Sequence, residues 1–418
     1  MDARASRRPE SAVSTIPPDA GPTRRILHVF RAPVGGLFRH VVDLTRLQAA
    51  AGHAVGLVCD ADTGGVRAEE MLADLAPQLA LGVLRVPMRR NPDPGDLAAL
   101  RAVARRAEAV GADVLHGHGA KGGLYARLAP VRRTGVLAPV RAYTPHGGSY
   151  NYRPGTLLHR LYMGVEGLLA RRTDVFLFES AYVAGRHAAY VGPSSTVARA
   201  VTRIVHNGIG EAEFVPVVRA ENPFDLVYVG ELREAKGLPV LLEALAHLRA
   251  SGRPLTLLMV GSGPDEAVLA ARAAGLGLAG AVVFEPAQPI RPVLARGRVM
   301  VVPSYAESLP YVVLEAAAAA QPLVATDVGG IPEIFGAAAG DLVPPRNARA
   351  LAEAIGRLLD EEPVRREARF RALSDAVRAR FSMRNMGESV LSGYEAALRA
   401  RASSGQASAA GRPGPASA

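Results

Sequence analysis

The sequence predicts an α/β protein built from two doubly wound domains, each with a parallel sheet between layers of helices. Three observations support this fold class: short β-branched runs that are apolar throughout, Ala- and Leu-rich runs between them, and a restart of this alternation after Phe224. Strands that are apolar on both faces are typical of parallel sheets covered by helices. The chain of 418 residues is long enough for two such domains.

The alternation divides the chain into two domains and their connections. The first domain is predicted to span residues 24–206 and the second to span residues 225–380. Residues 207–224 contain an Asn-Gly pair, two prolines and several charges, which is typical of a linker. A last helix is predicted over residues 381–401, with Ser382 as its N-cap. The predicted strands are Arg25–Phe30, Ala54–Cys59, Val83–Val86, Val114–His116, Val140–Thr144, Val175–Phe178, Arg203–Val205, Leu226–Val229, Leu255–Val260, Val282–Phe284, Met300–Val302, Leu323–Ala325 and Leu342–Val343.

The composition narrows the cellular setting. No run approaches the ~18–20 consecutive apolar residues of a membrane-spanning helix. Residues 1–23 lack the apolar run of a secretory signal, and they and residues 402–418 are predicted to be disordered tails. Cys59 is the single cysteine, so an internal disulfide is excluded. These features favour a reducing cytoplasm.

The net charge of +10 attracts phosphate groups on nucleic acids, anionic lipids or small ligands. The arginines are scattered, however, and aromatic residues make up only 5% of the chain. A basic stripe with interleaved aromatic residues is not apparent, which argues against nucleic-acid binding. An anionic membrane surface is the better-supported partner for the basic charge.

Two glutamates in the second half occupy positions suited to a ligand. A strand is predicted to end at Val302, and Glu307 follows in the loop. Glu315 is separated from Glu307 by seven residues and lies in a helix that begins near Tyr311. Carboxylates accept paired hydrogen bonds, so these side chains suit the diols of a sugar or a ribose. The alternative is that Glu307 is a turn residue and Glu315 a helix N-terminal charge.

A basic glycine turn precedes this segment in the sequence. Gly230 follows a predicted strand, and Arg233 and Lys236 come just before the next helix. Two cations at this position can neutralise a diphosphate without a metal. A solvated loop is the alternative interpretation.

Two further glycine turns lie between a predicted strand and a helix. Gly35 and Gly36 follow the first strand, and their backbone N–H groups can approach a phosphate or a sugar. Gly261 and Gly263 form a similar turn in the second half, without the third glycine of a dinucleotide fingerprint. Each turn is a weak signal by itself.

Three histidines lie at predicted strand ends in the first half. His146, beside two glycines, is typical of a site residue that binds a sugar hydroxyl. His116 and His118 lack the further ligands that zinc requires, and His116 is equally consistent with a core histidine. Asp60 and Asp62 could hold a metal, but loop capping explains them better. No metal site is therefore predicted.

Taken in order, these segments resemble the retaining glycosyltransferases of family 4, whose GT-B fold has two Rossmann-like domains facing a central cleft. The resemblance runs from about Ile26 to Tyr394. It rests on the joint order of motifs that are weak individually. The motifs are Gly35-Gly36, His116-Gly117-His118-Gly119-Ala120-Lys121-Gly122-Gly123, Thr144-Pro145-His146-Gly147, His206-Asn207-Gly208-Ile209, Val229 through Gly237, and Pro303 through Glu315.

The resemblance implies a nucleoside diphosphate sugar as donor, with UDP or GDP as its nucleotide, and no metal. Arg233 and Lys236 would hold the diphosphate, and His146 would lie against the donor sugar near the reacting carbon. Glu307 would bind the sugar hydroxyls, and Glu315 the ribose. The last helix would pack back on the first domain. The donor-binding set would be Gly35, Gly36, Gly230, Arg233, Lys236, Gly261, Gly263, Glu307, Ser308, Leu309 and Glu315.

The acceptor is expected to be a glycan, including lipid-linked ones, and to bind on the first domain. The candidates on this side are His116, His118 and Lys121. Membrane-associated relatives also suggest peripheral contact with the inner face of the plasma membrane. Arg39, Arg89 and Arg90 are the residues expected to face the lipid.

Two positions depart from the family pattern. Glu231 stands where the family usually has arginine, and Pro310 stands where it tends to have glycine. Two alternatives therefore stay open: a catalytically impaired subunit that binds nucleotide sugars, and a sugar-nucleotide epimerase of the same fold. A nicotinamide dehydrogenase is disfavoured, because neither glycine turn carries the full fingerprint.

Overall fold

The computed structural model describes three stretches of the chain, residues 22–132, 138–192 and 200–410. Most of the predicted N-terminal tail and residues 411–418 lie outside the described residues. Residues 402–410 were predicted to be disordered but continue the last helix. This prediction was wrong because alanine, which is frequent there, has the highest helix propensity.

The first domain is a seven-stranded parallel sheet with the order β3-β2-β1-β4-β5-β6-β7. Helices follow most of its strands and cover both faces, as the apolar strands require. Its strands are β1 Arg25–Phe30, β2 Ala54–Asp60, β3 Val83–Val86, β4 Val114–His118, β5 Val140–Thr144, β6 Val175–Phe178 and β7 Val201–Ile204. Its helices are α1 Gly35–Ala50, α2 Gly65–Leu75, α3 Gly95–Ala109, α4 Gly119–Leu128, α5 Leu157–Ala170 and α6 Ala181–Tyr190.

The second domain repeats this construction with five parallel strands in the order β10-β9-β8-β11-β12. The predicted strand Leu342–Val343 forms only an isolated bridge between Val343 and Thr326. The strands are β8 Phe224–Val229, β9 Leu257–Val260, β10 Val282–Glu285, β11 Gly297–Val302 and β12 Leu323–Ala325. The helices are α7 Leu238–Ala250, α8 Glu266–Gly275, α9 Ile290–Ala295, α10 Tyr311–Ala318, α11 Ile331–Phe335, α12 Ala348–Asp360 and α13 Pro363–Arg380.

The last helix, α14 (Met383–Ala410), returns to the first domain. Ser382 caps it, since its hydroxyl accepts a hydrogen bond from the Asn385 N–H. The buried side chains of Met386, Val390 and Tyr394 pack with apolar residues of the first sheet. Burial of this apolar face ties the end of the chain to the first domain.

The chain therefore crosses between the domains twice, and the two crossings lie side by side. The Ile209 N–H donates to the Phe381 carbonyl at 2.7 Å, and the Met383 N–H donates to the Ile209 carbonyl at 3.2 Å. A Cβ on Gly208 would lie 2.8 Å from the Met383 Cα. The predicted linker of residues 207–224 is thus paired with a second crossing, and Phe224 already belongs to β8.

No helix in the described part of the chain combines the length and the apolar character that crossing a membrane requires.

Candidate active site in the interdomain cleft

The carboxyl ends of the two sheets face each other, and loops from both domains meet there. In the first domain, β5 leads into His146 and Gly147, and in the second domain β11 leads into Glu307 and Ser308. A Cβ on Gly147 would lie 3.0 Å from the Ser308 Cβ, and a Cβ on Gly36 would lie 3.2 Å from the Tyr311 ring. The cleft is the position at which open α/β sheets bind ligands.

Glu307 and Lys236 form an ion pair on the second-domain side of this cleft. The Lys236 Nζ lies 2.7 Å from Glu307 Oε1, and the Ser304 hydroxyl donates to the same oxygen at 2.7 Å. Both contacts use Oε1, so Oε2 is the oxygen available to accept from a ligand. Glu307 is only 9% exposed, so its negative charge is held in place by these two donors. The structure thus brings these two predicted site residues into direct contact.

The loop that carries Lys236 is fixed by close backbone packing. The left-handed Gly237 comes so near the Pro303 carbonyl that a Cβ there would lie 1.8 Å from its oxygen. The Tyr305 N–H also donates to the Ala235 carbonyl at 2.9 Å. A side chain at Gly237 would force the basic turn away from the glutamate loop, so this glycine positions the ion pair.

Arg233 adopts a different position from Lys236. It forms an ion pair with Glu231 at 2.9 Å, and the two side chains are 42% and 52% exposed. The surrounding loop is ordered, because the Glu234 N–H donates to the Asp265 carboxylate at 2.6 Å. The departure from the family pattern at Glu231 therefore places a carboxylate on the very arginine predicted to hold the diphosphate.

The glycines of the second-domain turns pack the two loops together. A Cβ on Gly261 would lie 1.8 Å from the Gly230 carbonyl oxygen, and a Cβ on Gly263 would lie 2.2 Å from the Leu232 carbonyl oxygen. The Leu232 N–H donates to the Ser262 carbonyl at 3.0 Å. Close approach of backbone explains why glycine is needed at these turns.

Glu315 lies at the junction of the domains, in a cluster of charges around Arg39 of α1. The Arg39 guanidinium bonds Glu315 and Glu213, contacts Asp43 at 3.3 Å, and stacks over the Tyr311 ring at 4.6 Å. Three carboxyl groups share one guanidinium. Burial raises the pKa of Glu315 to about 7, opposed by Arg39 and reinforced by Glu213 and Asp43.

This cluster corrects one prediction. Arg39 was expected to face lipid, but it is enclosed by carboxylates of both domains, because the sequence does not show how the domains meet. Arg89 is 79% exposed and pairs with Asp93 at 3.0 Å, and Arg90 is exposed.

Hydrogen bonds through buried histidines fix the tautomer of His146. Gln48 Nε2 donates to the Tyr394 hydroxyl at 3.4 Å, so Gln48 Oε1 accepts from His28 Nε2–H at 2.7 Å. His28 Nδ1 must then accept from His118 Nε2–H at 2.9 Å, and His118 Nδ1 must accept from His146 Nε2–H at 3.1 Å. His146 therefore carries its proton on Nε2 and keeps Nδ1 as an acceptor.

The imidazoles of the three hydrogen-bonded histidines, His28, His118 and His146, are neutral. Burial lowers the pKa of His28 to about 4, and it holds the pKa of both His118 and His146 well below the usual range. His146 also has a positive φ of 52°. This backbone conformation is uncommon outside glycine and is typical of functional loops.

Two sets of three described histidines have ring nitrogens within 4.8 Å of one another. His118 belongs to both sets. Its two nitrogens already bond His28 and His146, so a cation would have to replace these hydrogen bonds. The expected absence of a metal stays a prediction. The sets are His28, His116 and His118, and His40, His118 and His146.

The three acceptor-side candidates do not line the cleft as expected. His116 is fully buried, with its ring nitrogens bonded to Thr144 at 2.8 Å and Tyr394 at 2.7 Å. His118 is 1% exposed and acts through His146. The position of a residue at a strand end predicts that it lies near the cleft, but it does not predict whether its side chain faces the cleft or is buried in the protein.

Lys121 also differs from the prediction. Its ammonium group lies 2.5 Å and 2.6 Å from the two carboxylate oxygens of Asp96 and donates to the Asn91 carbonyl at 3.1 Å. These contacts join α4 to α3 and leave the side chain 11% exposed. Its observed contacts are structural.

Glu179 was missed because nothing in the sequence near it resembles a motif. It is fully buried at the end of β6, and its carboxylate accepts from the Gly147 N–H. Burial raises its pKa to about 7. Glu179 therefore positions the loop that follows His146.

Asn207 and Glu333 were also missed as bridging residues. Asn207 donates to the Leu309 carbonyl at 2.8 Å and accepts from His40 Nδ1–H at 3.0 Å. Glu333 of α11 accepts from the Ala181 and Tyr182 N–H groups at the start of α6 and contacts His206 at 3.0 Å. Asn207 lies within a quoted motif, but its partners are far away in sequence.

A glycine pair, Gly329 and Gly330, packs against the backbone of the loop that carries Glu307. The left-handed Gly329 approaches Glu307 so closely that a Cβ would lie 1.8 Å from its carbonyl oxygen. The Gly330 N–H donates to the Ser308 carbonyl at 2.7 Å. The signal was the same as for Gly35 and Gly36, a glycine pair shortly after a strand.

Comparisons with known proteins agree with this architecture. The family model of glycosyltransferase family 4 matches residues 34–213, and the model of glycosyl transferases group 1 matches residues 211–374. A structure of Anabaena Alr3699/HepE in complex with UDP-glucose superposes with a TM-score of 0.72 at 17% identity, covering 89% of this chain and 100% of that one. The fold is therefore GT-B.

Sequence relatives point the same way. The putative teichuronic acid biosynthesis glycosyltransferase TuaC of Bacillus subtilis is 39% identical over 136 residues, 32% of this chain and one third (33%) of that protein. The putative glycosyltransferase EpsD of Bacillus subtilis is 31% identical over 271 residues, 60% of this chain and 68% of the relative. The chain is a glycosyltransferase and belongs to glycosyltransferase family 4.

Proposed function

We propose that the protein is a retaining glycosyltransferase that moves a sugar from a nucleoside diphosphate sugar to a glycan acceptor. The observation that carries this proposal is the Lys236–Glu307 pair at 2.7 Å, facing the His146 and Gly147 loop across the cleft. A cation, a carboxylate with one available oxygen and a neutral imidazole acceptor are the groups that a diphosphate and sugar hydroxyls require.

The proposed reaction uses no metal. The bond between the anomeric carbon and the diphosphate oxygen breaks, and negative charge develops on the leaving group. Lys236 stabilises that negative charge. Arg233 contributes further stabilisation once it has exchanged its ion pair with Glu231 for one with the phosphate. The acceptor oxygen attacks from the side of the leaving group, and its proton passes to the departing diphosphate. The anomeric configuration is then retained.

Each donor contact is assigned to a described side chain. Glu307 Oε2 accepts from sugar hydroxyls, and Glu315 accepts from the ribose, in exchange for part of its contact with Arg39. His146 Nδ1 accepts from a hydroxyl near the reacting carbon. The backbone N–H groups of Gly36, Ser308 and Leu309 bring further donors to the cleft.

The donor nucleotide is proposed to be UDP or GDP, and the acceptor a polysaccharide or glycoconjugate precursor that is lipid-linked. The name of TuaC, which refers to teichuronic acid biosynthesis, supports a polysaccharide acceptor, and the HepE structure with UDP-glucose supports UDP as the nucleotide. Cytoplasmic location with peripheral contact at the inner face of the plasma membrane follows from the same proposal.

A screen of UDP- and GDP-linked sugars tests the donor assignment. A bound donor raises the melting temperature by mass action, and a donor at a hundred times its Kd adds about 2.7 kcal/mol to the free energy of unfolding. The selected donor is then incubated with glycan acceptors, and the anomeric configuration of the product is determined by NMR. The proposal is overturned if none of the nucleotide sugars raises the melting temperature, or if the anomeric configuration of the product is inverted.

A second candidate function is a donor-binding subunit with impaired catalysis. The Arg233–Glu231 pair favours it, because the carboxylate competes with a diphosphate for the arginine. Glu231→Arg distinguishes the two. An active enzyme changes little in turnover, whereas an impaired subunit gains transfer activity.

A further inference from the structure

Helix α5 of the first domain has an apolar face that no other described part of the chain covers. Among its large apolar side chains, Leu157 is 83% exposed and Leu161 and Leu168 are each 64% exposed. Leu158 and Val165 are 46% and 37% exposed. At about 100° per residue, these five side chains fall within an arc of about 100° on one side of the helix. This stripe is hereafter the α5 face.

The surroundings of the α5 face are basic. Arg153 lies just before the helix, Arg160 on its flank, and Arg171 and Arg172 just after its end, and all four are exposed. The one acidic residue of the helix, Glu166, is buried and accepts from Arg127 at 2.8 Å. No acidic side chain therefore offsets these arginines on the exposed surface of α5.

We propose that the α5 face docks the enzyme onto an anionic lipid bilayer. A leucine stripe inserts at the boundary between headgroups and acyl chains, and flanking arginines bind lipid phosphates, as in interfacial amphipathic helices. The charge pattern favours lipid over a second copy of this chain, since two such faces would bring like charges together. Arg39 does not belong to such a surface, because Glu315 and Glu213 bind its guanidinium, whereas the lipid contact of the exposed Arg89 and Arg90 stays a prediction.

The location of α5 gives docking a consequence for the reaction. A short 3-10 turn, Gly148–Asn151, joins the Gly147 loop at the cleft to the segment that leads into α5. The buried pair of Arg127 and Glu166 anchors α5 to α4, and the Ser149 hydroxyl donates to Glu166 at 2.8 Å. Docking therefore holds the acceptor side of the cleft near the lipid surface, an inference that rests on the proposed function for the identity of the acceptor.

Vesicle flotation tests the docking itself. The full chain is mixed with vesicles of phosphatidylcholine alone, or of phosphatidylcholine and phosphatidylglycerol in equal parts. We expect binding to the anionic vesicles, and weaker binding as salt is raised. The triple variant Leu157→Ser, Leu161→Ser and Leu168→Ser should bind at least tenfold more weakly.

Matched controls separate the α5 face from general effects. Val66, Val218 and Val364 are 71%, 87% and 72% exposed elsewhere on the surface. Their triple change to Ser should leave vesicle binding unchanged. Changing Arg153, Arg160, Arg171 and Arg172 to Gln should abolish the preference for anionic vesicles, whereas the same change at the exposed Arg67, Arg101, Arg105 and Arg365 should weaken binding much less.

Fluorescence locates the contact directly, because the chain contains no tryptophan. In Leu161→Trp, anionic vesicles should shift the emission to shorter wavelength, and brominated lipids should quench it. In Val364→Trp, the same vesicles should change neither signal. Equal responses in both variants would overturn the assignment of the surface.

Three further outcomes count against the proposal: no flotation at low salt, equal binding of the leucine variant and the wild type, or a dimer in analytical ultracentrifugation that the leucine variant dissociates. The last would make the α5 face a protein interface. Donor-induced thermal stabilisation, measured without lipid, reports on the proposed function separately. Failure of one assay therefore leaves the other interpretable.

Discussion

The two sides of the cleft use opposite electrostatic strategies. The first-domain side is a chain of neutral, buried imidazoles ending at His146. The second-domain side holds charges, with Lys236 against Glu307 and Arg233 against Glu231. Neutral groups with fixed tautomers suit hydroxyl recognition, whereas compensated charges suit a diphosphate that arrives with its own charge. The difference leads us to expect that the first domain contributes a neutral contact to the donor at His146, whereas the second domain contributes the charged contacts to both its diphosphate and its sugar.

The charged side gives the largest expected effect. Lys236→Ala should lower turnover at least a hundredfold while the protein stays folded, because a cation at the leaving group acts mainly in the transition state. Steady-state kinetics with the selected donor measure this.

The chain contains only one other lysine, Lys121, which serves as the control. Lys121→Ala should destabilise the fold by about 1–3 kcal/mol and change turnover little. Near-normal transfer by Lys236→Ala would remove the diphosphate role.

The second-largest effect is expected at the domain junction, where Arg39 contacts three carboxylates. Arg39→Met leaves Glu315, Glu213 and Asp43 without their shared cation. We expect the free energy of unfolding to fall by about 2–3 kcal/mol at pH 8 and by less at pH 5, where protonation relieves the repulsion. Urea denaturation at the two pH values measures it, with the exposed Arg101→Met as a control. An equal loss at both pH values would contradict the charge-sharing interpretation.

The neutral side should show its tautomers. In nitrogen-15 NMR of histidine-labelled protein, His146 and His118 should be protonated at Nε2, and His40 at Nδ1. Gln48→Met removes the acceptor that begins the chain, so mixed tautomers and a loss of about tenfold in kcat should follow, with KM less affected. A His146 protonated at Nδ1 in the wild type would break the proposed order of donors.

The smallest effect concerns the buried carboxyl behind His146. The pKa of Glu179 is raised to about 7, so the folded state binds more protons than the unfolded state between about pH 4.5 and 7. Stability should therefore decrease as pH rises through this window. Glu179→Gln should remove most of the part of that decrease that comes from this carboxyl group. The exposed Glu353→Gln should leave the pH dependence unchanged, and an unaltered slope in Glu179→Gln would sink the assignment.

The predicted fold agrees closely with the structure because apolar runs and glycine turns determine where parallel strands begin and end. Local patterns also indicated Glu307 and Lys236, although their contact depends on the close packing at Gly237. The surroundings of Arg39 and Glu179 could not be predicted, since their partners lie on distant segments. For His116, an acceptor-side role and a core position were both left open, and its complete burial matches the core position.

The paired crossings at Ile209 and Ser382 have a mechanical consequence. Two backbone segments that are hydrogen-bonded to each other resist twisting far more than a single linker does, so they bend together along one line. We therefore expect any opening or closing of the cleft to follow a single path. We also expect Lys236 and His146 to return to the same separation after each such movement.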